Sequence, residues 1–178
     1  MYKLTDLYKQ IKEEAALKQL QSKYKIYCDM DGVLVNFDKR FEEFSDGISP
    51  KQYEAKYGIV KFWELITDQG HEFWSNMEWM PEGRKLWGYI EKYKPSLLSA
   101  PSRASSSRYG KRLWVQSNIP GTPLILANRE NKKNYAGMNN ILIDDRRDNC
   151  EEWEYAGGIA ILFTSTNQTI TDLKSLGL

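Results

Sequence analysis

Histidine and cysteine are nearly absent from this chain: His71 is the single histidine, and Cys28 and Cys150 are the two cysteines. Two thiols cannot build a disulfide framework, and one imidazole beside them does not make a Cys/His zinc site. A Ser–His–Asp or Cys–His mechanism would have to route through His71. That residue sits in a tryptophan-rich, helix-prone stretch that suits a triad poorly. An excess of one charge sign is missing too. Lys plus Arg is 25 and Asp plus Glu is 24, a formal net charge of +1. No global positive field therefore recruits nucleic acid or a membrane surface, and an anionic substrate has to be held by a local arrangement. No stretch approaches the roughly 18 apolar residues of a membrane span. The start, Met1-Tyr2-Lys3-Leu4, has no apolar run to act as a signal core. The expectation is a soluble, cytoplasmic protein acting on a small molecule, with neither a membrane nor an extended nucleic-acid surface as partner.

What is present is enough for a core: 41% of the 178 residues are hydrophobic and 13% aromatic, which favours one domain with a small insert. Residues 3–24 read as a helix with Leu4, Leu7, Tyr8, Ile11 and Ala15 on one face, packed on the body. Lys25-Ile26-Tyr27-Cys28 is a first strand. Residues 38–94 hold Trp63, Trp74, Trp79 and Trp87, four of the six tryptophans, with glycine and proline cutting the stretch into short helices. β-like runs return at 96–99, 123–127, 140–143 and 158–163, separated by helical segments at 105–118, 129–137 and 147–156. Alternating strands and helices predict an α/β, doubly wound parallel sheet. Its core spans 25–37 and 95–178, with a helical cap of 38–94 inserted after the first strand. In such sheets ligands bind beyond the carboxyl ends of the strands.

Those ends carry acids. The first strand runs into Asp29-Met30-Asp31-Gly32-Val33-Leu34, a later one into Asp144-Asp145-Arg146-Arg147-Asp148, and the second into Ser99-Ala100-Pro101. Like charges held together are unfavourable unless a cation neutralises them. Carboxylate oxygens without histidine or thiolate point to Mg²⁺. Asp at a helix N-terminus accounts for one or two of these residues, but not easily for four at two strand ends. Gly32 allows a sharp turn and a close backbone approach to a ligand. Cys28, inside a strand, and Cys150, on a helix, read as inert packing residues.

Asp29-Met30-Asp31-Gly32-Val33-Leu34-Val35-Asn36-Phe37 resembles the first motif of the haloacid-dehalogenase superfamily of phosphatases, in the form found in the 5′(3′)-deoxyribonucleotidases and their bacterial and phage relatives. Leu98-Ser99-Ala100-Pro101 is similar to the second motif, and Ile141-Leu142-Ile143-Asp144-Asp145-Arg146-Arg147-Asp148-Asn149 to the fourth. Phe73-Trp74 and Met80-Pro81-Glu82-Gly83 resemble the stretch that closes the cap, and the resemblance covers about residues 25–165. It implies an Mg²⁺-dependent phosphomonoesterase whose substrate is a nucleoside monophosphate; the alternatives are a phosphatase of the same kind for another small phosphate ester or a polynucleotide end, and a binding protein that keeps the fold without catalysis. Asp29 would take the phosphoryl group, and Asp31 would protonate the leaving alcohol and then activate water. Ser99 would bind a phosphate oxygen. Asp144 would hold Mg²⁺ with Asp29 and the backbone carbonyl of Asp31, supported from behind by Asp145.

The family's third motif is a lysine. Lys132 and Lys133 both precede Asp144 by about the expected distance. On a helix they point about 100° apart, so one of them reaches the site. The spacing favours Lys133, with Lys132 the alternative and Lys111 a third candidate. Arg103, with Ala100, is placed at the substrate. The cap aromatics first of all supply a core. Phe73, Trp74 and Phe37 are the candidates to stack on a base.

Overall fold

The computed structural model describes residues 4–178. Five short strands form one parallel sheet: β1 (Lys25–Cys28), β2 (Ser96–Ser99), β3 (Leu124–Leu126), β4 (Asn140–Asp144) and β5 (Ile159–Leu162), in the order β3-β2-β1-β4-β5. The chain moves outward from β1 through β2 to β3, then returns to the other side of β1 for β4. The strand order therefore reverses at the β1/β4 boundary, the position where doubly wound sheets place their ligands. The three central strands are buried on both faces and the edge strands are half-buried, which is why they read as continuous apolar runs.

The helices are α1 (Leu4–Lys23), α2 (Phe37–Glu42), α3 (Pro50–Asp68), α4 (Glu72–Ser75), α5 (Gly83–Ile90), α6 (Ser105–Asn118), α7 (Arg147–Tyr155) and α8 (Thr166–Ser175). The helices α2 to α5 lie between β1 and β2 in the chain. They share the core of the sheet. Phe41, Phe62, Ile66, Phe73 and Trp74 form one cluster with Ile26, Leu97, Trp114 and Ile143. Helix α4 lies on α6, and α5 lies on α8. Trp114 clamps this joint by donating its indole N–H to the Met77 carbonyl at 2.8 Å. The opposite face of the sheet is closed by a smaller group, Tyr27, Leu98, Leu142 and Trp153. In α3 the helical winding breaks at Gly58 (φ 84°, ψ 162°), a conformation essentially restricted to glycine.

Two local expectations are corrected and one helix is added. The face of α1 expected to pack, including Leu7, Tyr8 and Ile11, is exposed. The helix meets the body only near its end, through Leu17, Leu20 and Tyr24, because its apolar stripe shifts around the axis after Ala15. Residues 129–137, expected to be α-helical, form instead a 3-10 helix, Arg129–Tyr135. Finally, α8 was not anticipated, although Ser165 caps it by accepting from the Gln168 N–H at 3.2 Å. Its polar, threonine-rich sequence carries a weak helical signal. Among the described residues no helix is long and apolar enough to cross a membrane.

Gly110 sets how closely α6 and α4 approach. A Cβ there would collide with the His71 carbonyl oxygen and the Trp74 Cβ. Gly110→Ala is expected to destabilise the protein by about 1–3 kcal/mol, the usual range for overpacking. Chemical denaturation checks this, and an unchanged midpoint would show that α4 is not held against α6.

Candidate active site

The register of the sheet builds the site. In the β1–β4 pair Cys28 is opposite Ile143, and the Asp29 N–H donates to the Ile143 carbonyl at 2.9 Å. Asp29 and Asp144 thus leave neighbouring strands at the same level. After Asp29 the chain folds tightly. The Met30 carbonyl accepts from the N–H groups of Val33, Leu34 and Val35 at 3.2, 2.9 and 2.9 Å. Gly32 in this turn has φ 76°, and a Cβ there would strike the Asp145 carboxylate. The turn needs glycine both for its backbone angle and for the room it leaves to that acid.

Asp29, Asp144 and Asp145 each offer an oxygen within 4.8 Å of the others. Asp145, expected to support the metal site from behind, offers an oxygen to the same cluster as Asp29 and Asp144. The Lys132 ammonium sits 2.9 Å from Asp29 Oδ2 and 2.7 Å from Asp144 Oδ2. Asn149 donates through Nδ2 to both oxygens of Asp144, at 2.9 and 3.0 Å, and the Arg146 N–H donates to Oδ1 at 3.0 Å. A second charge pair adjoins the first. Lys111, with no exposed surface, donates to the two oxygens of Asp31 at 2.7 and 2.6 Å and to Ser99 Oγ at 3.1 Å. Its ammonium also lies 5.0 Å from the centre of the Trp74 ring, close enough for a cation–π contact.

Burial shapes the protonation of these groups. It raises the Asp31 carboxyl, with Lys111 opposing and Asp29 adding to the rise. It also raises Asp144, reinforced by Asp29 and opposed by Lys132. Asp145 is pushed up to about 7 by burial and by the charges of Asp29 and Asp144. Burial works against the Lys132 ammonium, but the charges of Asp29 and Asp144 outweigh it and raise its pKa. Burial raises both thiols as well, Cys150 to about 12, so neither is a ready ligand.

This donor set fits a hard divalent cation. Three clustered carboxylates face one ammonium, which leaves an uncompensated negative charge. All the clustered ligand atoms are oxygen, as Mg²⁺ prefers.

Above the carboxylates opens a cavity of about 1060 Å³, with Asp29, Asp31 and Lys132 at its floor. Ala100, Arg103, Phe37 and Trp74 also line it, though Trp74 is buried to 2% exposure and offers no free face for a base. Ser99 lies beneath, fully buried. Two expectations are corrected. Lys133 is not at the site: it is exposed and pairs with Glu152 at 3.2 Å. In a 3-10 helix residues three apart eclipse, so Arg129 and Lys132 share the inward face and Lys133 turns away. Phe73 does not line the cavity but is fully buried, its ring edge-on to Phe37 at 5.5 Å.

Lys111, the third lysine candidate, falls on the buried stripe of α6 with Gly110, Trp114 and Val115 and pairs with Asp31 rather than with Asp144. Sequence reasoning passed over other residues. Arg129 donates to Asn149 Oδ1 at 3.2 Å and pairs with Asp148, and it lines the cavity with Arg146. Ile59, Val60 and Trp63 line the cap side and remain 48%, 66% and 40% exposed.

The fold is that of haloacid-dehalogenase-like proteins. The chain is similar to the crystal structure of a hydrolase from Streptococcus pneumoniae TIGR4, with 17% identity over 86% of this chain and 98% of that chain and a TM-score of 0.52. It is also similar to L-2-haloacid dehalogenase from Xanthobacter autotrophicus, with 10% identity over 85% of this chain and 82% of that chain and a TM-score of 0.51. No protein-family model and no curated protein matches the chain.

With Asp145 near 7, a cation that favours ionised carboxylates should expel a proton on binding. Calorimetric titration of Mg²⁺ at about pH 7, in buffers of different ionisation enthalpy, is expected to show proton release, with affinity rising from about pH 6 to about pH 8. Asp145→Asn should weaken that pH dependence. A heat of binding independent of buffer would contradict the picture.

Proposed function

We propose that the protein is an Mg²⁺-dependent phosphomonoesterase that hydrolyses nucleoside monophosphates through a phosphoryl group carried on Asp29. The observation that carries this reading is the separation of two carboxylates two residues apart. Asp29 is paired with Lys132 beside Asp144, and Asp31 is paired with Lys111 beside Ser99. Both open into one cavity.

Mg²⁺ would be held by Asp29, Asp144, Asp145 and the backbone carbonyl of Asp31, and when bound it would neutralise charge on the phosphate oxygens. The chain's own groups do the rest. Lys132 orients the phosphate with little reorganisation, and Ser99, buried beneath, helps to hold the Lys111 ammonium beside Asp31. An oxygen of Asp29 attacks phosphorus, and the bond to the leaving sugar oxygen breaks. Asp31, whose carboxyl burial raises, gives its proton to that oxygen. Asp31, now a carboxylate beside the Lys111 ammonium, takes a proton from water. The water oxygen attacks phosphorus, freeing phosphate and restoring Asp29. Dividing the displacement in two is what a covalent catalyst contributes. The cap side favours a base over a sugar: Trp63, Ile59 and Val60 offer an exposed apolar surface, on which a flat ring gains roughly 1–3 kcal/mol by stacking. A second reading, a polynucleotide end, draws on Arg103, Arg129 and Arg146 around the floor.

Asp29→Asn is expected to lower kcat by at least about 10³-fold with the fold intact. Lys132→Ala should lose most of the activity and Lys133→Ala almost none, and the reverse order would reject the placement of Lys132. In a substrate panel, nucleoside monophosphates should exceed simple sugar phosphates by about tenfold to a hundredfold in kcat/KM. An oligonucleotide 5′-phosphate preferred over every mononucleotide would favour the second reading. Sugar phosphates in the lead would end the nucleotide assignment.

A further inference from the structure

The cavity is polar in two opposite ways. The cations that line it, Arg103, Arg129, Lys132 and Arg146, all come from segments that follow β2, β3 and β4. The wall contributed by α2 and α3 has none. Its polar side chains are Asp38, Glu54, Glu64, Thr67 and Asp68. Lys61 partly satisfies Glu64 at 2.8 Å. Among the described residues Asp38, Glu54 and Asp68 have no basic partner. Between these acids stand the exposed apolar side chains of Ile59, Val60 and Trp63, presented beyond the break at Gly58.

A carboxylate is an acceptor only. With the phosphate held at the cationic floor, the far edge of the leaving group meets an apolar surface edged by acceptors. A carbonyl placed there faces like partial charge, whereas an amino group finds a charge-assisted hydrogen bond. We propose that this wall selects nucleoside monophosphates whose base carries an exocyclic amino group at the edge away from the sugar, as cytosine and adenine do, over bases with a carbonyl in that place, as uracil and hypoxanthine have. The inference rests on the nucleotidase reading above and deepens it.

Two substrate pairs exchange the amino group for a carbonyl: deoxycytidine with deoxyuridine monophosphate, and deoxyadenosine with deoxyinosine monophosphate. The amino-bearing member of each pair is expected to have a kcat/KM higher by about tenfold or more. In Asp38→Asn, Glu54→Gln and Asp68→Asn, and in the triple variant, the ratio within each pair is measured. Taking the ratio within one variant cancels damage at the phosphate. The ratio should fall toward one in the triple variant and in at least one single variant. Ratios at or below one in the unaltered protein, or ratios that persist in every variant, overturn the inference and leave the nucleotidase reading standing. If p-nitrophenyl phosphate is hydrolysed and no nucleotide is, both are overturned.

Discussion

Crowded carboxylates between two buried strand ends constrain everything around them. The parallel register of β1 and β4 brings Asp29 level with Asp144, and Asp145 follows at once in sequence. Ionised together in a low-dielectric setting, such groups repel each other and resist desolvation. The upward pressure on the Asp144 and Asp145 carboxyls expresses that conflict. Removing one member of a buried ion pair leaves an uncompensated charge, so the lysines that answer these acids are as much a condition of the arrangement as the acids.

Each lysine depends on a particular piece of backbone. Lys132 reaches Asp29 and Asp144 because its segment winds as a 3-10 helix, which turns Arg129 to the same side. Lys111 reaches Asp31 and Ser99 from the buried stripe of α6, under the ring of Trp74. Trp74 is there because Gly110 lets α4 lie against α6. The two counter-ions thereby distinguish two acids only two residues apart: one faces the cluster able to hold a cation, and the other shares the Lys111 ammonium with the Ser99 hydroxyl. The proposed phosphoryl transfer would draw on that difference.

Much of this was legible in the sequence. The strands at 25–28 and 96–99 are matched residue for residue, because buried parallel strands are written as short apolar runs with little ambiguity. Asp29, Asp31, Ser99, Asp144 and Asp145 could be located from strand ends alone. The choice between Lys132 and Lys133 could not be made that way. It turns on 3-10 against α winding, a difference of about 20° per residue that tertiary contacts decide. The aromatics were harder still. Phe73 and Trp74 are adjacent and both buried in the core, with only Trp74 reaching the cavity wall, while Trp63 is left exposed by a helix that breaks at Gly58. Composition named the rings but not which of them faces the cavity. The exposed face of α1 misled for a related reason: helical spacing shows that a stripe exists and does not show that anything covers it.

The central claim is that Asp29 itself accepts the phosphoryl group. The most direct measurement is acid quenching of the Mg²⁺-loaded protein during a single turnover of a nucleoside monophosphate, followed by mass spectrometry of its peptides. The account predicts one phosphoryl group on the peptide that carries Asp29, appearing before free phosphate and decaying as phosphate is released. Phosphate released in full, with no peptide modified at any time of quenching, would contradict it and would mean that water attacks the substrate directly.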